Sequence, residues 1–240
     1  MLDHIKIIYH QGKQYIPHLQ TAKLPGIFRG RPMISLAQVD EDALVHLCPL
    51  NAIAAGPISL DLGKCSFCGE CAEKFPEKIE FTTDHKLAVN RREDLMIKTG
   101  ESAPLKVDPE NVRKEIRRVF RNSLKLRQVS AGGDNSCEWE LNAANNVQFD
   151  MSRYGIEFVA SPRHADGIVI TGPISENMAE ALQICYDAVP DPKMIILCGT
   201  DAISGGMFAD SPAINRSFLE KYPVDLYIPG NPPHPLTFIL

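Results

Sequence analysis

Nowhere in the 240 residues does an apolar run approach the roughly 18 residues that a bilayer-crossing helix needs. The opening text, MLDHIKIIYHQGKQ, lacks the apolar stretch and small-residue cleavage site of a secretory signal. Excess positive charge is also missing. With 25 Lys and Arg against 30 Asp and Glu, the net charge of -5 gives no electrostatic case for nucleic acid. No internal repeat or low-complexity tract is visible. These absences leave a cytoplasmic globular chain of one or two domains. Its 44% hydrophobic and 23% charged composition is ordinary for that class.

What the chain does have is cysteine, seven in all, an odd number. Three of them fall in Cys65-Ser66-Phe67-Cys68-Gly69-Glu70-Cys71. In a cytosolic chain such a cluster argues for metal rather than disulfides. The C-x2-C-x2-C spacing lets one short loop wrap the irons of a 4Fe–4S cluster with thiolates. In bacterial ferredoxins a fourth cysteine follows after three more residues and precedes proline; here that position is Phe75, followed by Pro76. In two-cluster ferredoxins, however, the cysteine before proline ligates the other cluster. Cys48-Pro49 supplies that ligand, so Cys48, Cys65, Cys68 and Cys71 form one complete set. The companion cluster would need cysteines at 38, 41 and 44, which are Gln38, Glu41 and Leu44, and at Phe75. All four ligands of one cluster remain and all four of the other are gone. A zinc site on the same thiolates is the competing chemistry.

Three zones follow. Residues 1–98 hold the four ligands among short apolar runs, with IEFTTDHKLAVN reading as two strands around a turn at Asp84-His85. Residues 99–130 read as a basic helical linker. Between 101 and 130, eight Lys and Arg stand against four acids. Asp108-Pro109-Glu110 resembles a helix start, and Val112, Ile116, Phe120 and Leu124 recur at helical spacing. That segment is either a solvated helix with one core face or a docking surface for an acidic partner. Residues 131–240 alternate strands (155–159, 167–172, 193–197, 225–228) with helices (175–188 and near 212–222), the order of a parallel α/β sheet. Cys185 and Cys198 read as core thiols, Trp139 as packing, and Ser204-Gly205-Gly206 as a tight turn.

The text Tyr154-Gly-Ile-Glu-Phe-Val-Ala-Ser-Pro-Arg-His-Ala-Asp166 resembles one family. So do Arg121–Arg127, Cys137-Glu138, Pro190–Lys193, Ser204–Met207 and Pro223–Gly230, in that order. This family is the small iron–sulfur subunit shared by respiratory complex I (its 20 kDa, B-type subunit) and the energy-converting nickel–iron hydrogenases, including formate hydrogenlyase. The resemblance implies a flavodoxin-like fold and one 4Fe–4S cluster beside a catalytic large subunit. The fold class expected is therefore α/β: an N-terminal ferredoxin-like α+β domain followed by a flavodoxin-like parallel-sheet domain.

Carried over residue by residue, the family's four cysteine positions fall on Asp134, Cys137, Asp201 and Asn231, and only Cys137 is a cysteine. Two carboxylates, an amide and one thiol are a poor match for a cluster that takes soft sulfur donors. The second cluster is expected to be lost, the alternative being a polar pocket or hard-metal site at those residues. Glu138 and Arg163 lie in family motifs and either touch a partner or a quinone-like ligand or serve local structure, with Arg163 pairing locally and His164 a surface or cap residue. The implied role is an electron-transfer subunit with one 4Fe–4S cluster, partnered by a large subunit and, through the complex, by membrane subunits at the inner face of the cell membrane. The alternative is a structural or redox-sensing subunit whose second domain is a docking scaffold. Nothing assigns it catalysis of its own.

Overall fold

The computed structural model describes residues 2–12, 15–120 and 123–240. The first half is built from short pieces. Helix α1 (Leu2–Gln11) buries none of its residues. Strand β1 (Pro32–Ile34) precedes helix α2 (Glu41–Leu47), whose N-cap Asp40 accepts the Ala43 N–H at 3.0 Å. Strands β2 (Ile53–Ala54) and β3 (Ser59–Asp61), helix α3 (Glu70–Lys74), and strands β4 (Ile79–Phe81) and β5 (Met96–Lys98) complete it. These form two small antiparallel sheets, β1-β4 and β2-β3-β5. The hairpin expected around Asp84-His85 is not made: β4 pairs with β1 instead. Beyond the turn, Leu87 and Val89 are buried, and Val89 bridges Tyr227 of the larger sheet. Burial of those two apolar residues against the other half of the molecule outweighed the local turn signal.

The second half is a five-stranded sheet. Helix α4 (Lys114–Val119) leads, across two residues that are not described, to strand β6 (Leu124–Ser130). Then come α5 (Ser136–Ala143), β7 (Ile156–Phe158), β8 (Gly167–Thr171), α6 (Glu176–Ala188), β9 (Met194–Cys198), α7 (Thr200–Ser204), α8 (Ser217–Lys221), β10 (Leu226–Ile228) and α9 (Pro235–Ile239). The strand order is β7-β6-β8-β9-β10 and every pairing is parallel. Counted within this half, that is 2-1-3-4-5, the flavodoxin-like doubly wound order.

The basic segment differs from the expected linker. Among the described residues there, helical structure is a 3-10 turn at Pro109–Asn111 and the six residues of α4. Leu124, read as the fourth residue of a helical stripe, opens β6, which pairs with β7 on one side and β8 on the other. Sheet pairing on both edges overrode a weak four-point periodicity. The sheet therefore begins seven residues before the expected boundary at 131. Likewise, the helix expected near 212–222 is confined to Ser217–Lys221.

Period-2 alternation distributes the strands between two cores. Ile168, Ile170, Ile195 and Leu197 face one way, packing with Leu182 of α6 and Phe218 of α8. Val169, Ile196, Cys198 and Ile228 face the other, with Leu141 of α5 and Leu236 of α9. The first core does not stop at the sheet. It runs on through Ile203 and Ala202 into Leu62, Leu60, Leu44 and Ile34 of the first half. The two halves thus share one hydrophobic core.

Candidate functional site

Each of the four proposed ligands is delivered by a short local device. Cys48 is the C-cap of α2, with Pro49 ending the helix behind it. Asp61, the last residue of β3, sets the turn into Cys65. Its carboxylate accepts the Gly63 N–H at 2.8 Å and both Arg92 amines at 2.8 and 2.6 Å, and its carbonyl accepts the Cys65 N–H at 3.0 Å. Phe67 adopts φ 56, unusual for a bulky residue, and Gly69 adopts φ 84 as the N-cap of α3. That positive φ favours glycine, and the Arg29 side chain lies over the space a side chain at 69 would take. Cys71 then points inward from the first turn of α3.

The thiols converge. Burial pushes Cys65 up to about 12; the Phe67 N–H it accepts at 3.3 Å opposes this, and neighbouring Cys71, Cys48 and Cys68 add to it. Cys71 is pushed up to about 11 by burial, then by Cys68 and Cys48. Cys48 Sγ accepts the Ala52 N–H at 3.4 Å. Among the described residues no three His, Cys, Asp or Glu side chains are drawn into the tight grouping of a single bound ion. A cube of four irons spreads its thiolates wider than one ion does, so converging charge is the more relevant geometry here. Four soft donors, two of them buried and two met by N–H groups, fit such a cluster, whose positive charge offsets the cost of burying thiolates. Leu44 and Phe75, at two of the companion cluster's positions, pack into or against the hydrophobic core.

The second set of residues sits at the carboxyl ends of β6, β9 and β10, where open α/β sheets place their sites. Asp134 is exposed in the turn before α5, accepting the Ser136 N–H at 2.9 Å and hydroxyl at 2.6 Å. Cys137 is buried, its Sγ lodged against Gly199, where φ 95 and the absence of a side chain make room. Burial, then Glu138, Asp201 and Asp134, push its thiol to about 12. Asp201 is half-buried with a carboxylate oxygen against Gly206; burial and then Asp134 raise it. Asn231 is exposed. The donor set remains one thiol, two carboxylates and an amide, and it does not fit a 4Fe–4S cluster.

Other expected roles resolve individually. Cys198, read as a core thiol, is fully buried, and burial first, then nearby Cys137 and Glu138, raise its thiol. Cys185 is only half-buried. Glu138 accepts the Thr171 hydroxyl at 2.6 Å, a bond inside the fold. Trp139 is 70% exposed rather than packed: α5 turns Cys137 and Leu141 inward, which carries residue 139 outward. Arg163 and His164 are exposed on a 3-10 turn at Pro162–His164, and Gly205 closes α7 with φ 92. Arg121, part of the resemblance, lies outside the described residues.

Residues 135–240 match the family of the NADH ubiquinone oxidoreductase 20 kDa subunit. An uncharacterized protein of Methanocaldococcus jannaschii, MJ0516, is 36% identical over 126 residues, 52% of this chain and 84% of that one. The probable membrane-bound hydrogenase subunit mbhJ of Pyrococcus furiosus is 38% identical over 107 residues, 45% of this chain and 64% of that one. The B-type subunit of the NADH-quinone oxidoreductase of Heliobacterium modesticaldum is 46% identical over 100 residues, 41% of this chain and 57% of that one. The chain belongs to this 20 kDa subunit family. It spans under two thirds of the length of the hydrogenase and quinone oxidoreductase subunits. Among the described residues no helix is long and apolar enough to cross a membrane.

Proposed function

We propose that this chain is an electron-transfer subunit of a complex I-like or energy-converting hydrogenase-like assembly. Its redox group is one 4Fe–4S cluster on Cys48, Cys65, Cys68 and Cys71. The observation that carries this reading is the convergence of four thiols, of which Cys65 and Cys71 are buried, Cys48 is half-buried and Cys68 is exposed, with Cys48 and Cys65 met by backbone N–H groups. When bound, such a cluster takes up and releases single electrons. The chain's own part is to exclude water from Cys65 and Cys71, to aim N–H groups at sulfur, and to hold the loop rigid through Asp61 and Arg92. Those are the factors through which a protein sets a cluster's potential.

In this reading residues 1–98 are a ferredoxin-like module added to the family domain, and the family's own cluster is lost at Asp134, Cys137, Asp201 and Asn231. Partner subunits are a large subunit and, through it, membrane subunits, with peripheral association at the inner membrane face. Family membership and the lack of a bilayer-spanning helix among the described residues support this. Anaerobic iron and acid-labile sulfide analysis, read beside the EPR spectrum after dithionite reduction, tests it. About four irons with one reduced-cluster signal are expected. About eight irons with interacting signals would overturn the loss of the second cluster, and iron-free protein would overturn the first.

A further inference from the structure

The carbonyl of Cys65 lies in buried backbone, where a C=O needs a donor. No backbone N–H among the described residues reaches it. Its donor is the hydroxyl of Thr200, 135 positions away in sequence, at 2.8 Å. Thr200 is 1% exposed, and its hydroxyl also lies 3.2 Å from the Gly230 carbonyl, the looser of the two contacts. The Thr200 N–H donates to Gly230 at 2.9 Å and the Gly199 N–H to Ile228 at 2.8 Å, so this hydroxyl stands on a fixed base. A second contact supports the first: a side chain on Gly63, two residues before Cys65, would meet Ile203 of α7 at 2.8 Å.

The position of Thr200 gives the bond its interest. Thr200 touches the cysteine loop, the preceding Gly199 backs Cys137, and the following Asp201 belongs to the degenerate site. Neighbouring Cα atoms are about 3.8 Å apart. One wall of a single short helix therefore separates the four-cysteine nest from the mouth of the α/β sheet.

We propose that Thr200 is the positioning residue of the nest: its hydroxyl latches the Cys65 loop to the carboxyl end of the sheet. A redox group held by the four cysteines is thereby presented at the place where the α/β domain no longer holds one. This inference rests on the nest binding a cluster, as proposed above.

The test compares the wild-type chain with Thr200→Val, which keeps shape and removes the donor, and Thr200→Ser, which restores it. Iron per chain, the EPR spectrum of the reduced protein and the midpoint potential are read for each. Wild-type protein without about four irons defeats the cluster reading itself. With the cluster present, the latch predicts that Thr200→Val shifts the potential and the g-values, or loses iron, and that Thr200→Ser returns both to wild type. An unchanged potential and spectrum in Thr200→Val overturns the proposal, whatever happens to thermal stability.

Discussion

Two cysteine-bearing regions stand on either side of α7, and they treat sulfur in opposite ways. In the first, four thiols converge from three local devices, two of them accept N–H bonds, and the buried ones have one another as their charged neighbours. In the second, Cys137 has carboxylates as its neighbours and is lodged against a glycine. Asp134 is engaged by the Ser136 N–H and hydroxyl, and Asn231 faces solvent. The second region is held by its strands and their two cores, whatever its donor set. The nest of short loops leans on single contacts, the Asp61–Arg92 pair and the Thr200–Cys65 hydrogen bond, at the edge of the shared core.

The sharpest way to break the comparison is to remove one thiol from each side. Cys65→Ser is expected to drop iron from about four per chain to near zero and to lower the melting temperature by about 10 °C or more. Cys137→Ser should leave the iron content unchanged, and iron lost there would mean that the second region does hold metal. The converse experiment returns the missing ligands together as Asp134→Cys, Asp201→Cys and Asn231→Cys. Iron should rise toward about eight per chain, with split EPR signals from two clusters on adjoining walls. Two unperturbed signals would place the sites further apart than α7 allows.

The support of the nest can be weighed separately from its ligands. Arg92 makes a two-point pair with Asp61, whose side chain is 9% exposed while that of Arg92 is 33% exposed. Arg92→Ala leaves that carboxylate buried and unpaired, an expected cost of about 2–3 kcal/mol after allowing for partial exposure. Denaturant titration measures it, and a loss below about 0.5 kcal/mol would show that Gly63 and solvent suffice.

The seam between the halves should respond to acid. Burial first, and then neighbouring His85, lower His234 from 6.5 to about 4. Its Nδ1 accepts the Leu236 N–H at 3.1 Å, and Phe28 and Phe149 meet the ring edge-on. The unfolded chain takes up this proton near pH 6.5 and the folded chain only near 4. Stability from this group is therefore full above 6.5, falls as the pH drops through that window, and is constant below 4. The loss amounts to about 3 kcal/mol at most. His234→Asn keeps an N-cap acceptor without a titrating ring and should flatten that slope between pH 6.5 and 4. The smallest effect belongs to α1: deleting Leu2–Gln11, of which no residue is buried, should move the melting temperature by less than about 1 °C.

Much of this molecule is written locally. The expectation of a four-cysteine nest rests on spacing, one loop and one Cys-Pro, with Gln38, Glu41, Leu44 and Phe75 at the companion positions, and the fold brings those four thiols near one another. Strands β8, β9 and β10 and helix α6 were legible because buried parallel strands are continuous apolar runs and a 13-residue helix shows its period. The hairpin at Asp84-His85 and the stripe ending at Leu124 misled for a common reason. Their local patterns were short, and their partners lay far along the chain, at Tyr227 for Val89 and at β7 and β8 for β6.

The amino-acid order by itself determined the chemistry available: four thiols with one spacing, and one thiol, two carboxylates and an amide at Cys137, Asp134, Asp201 and Asn231. Only the tertiary structure decided where those two sites lie. Contacts such as Thr200 to Cys65 arise from burying one shared core, and a hydrogen bond spanning 135 residues leaves no period or motif behind in the sequence.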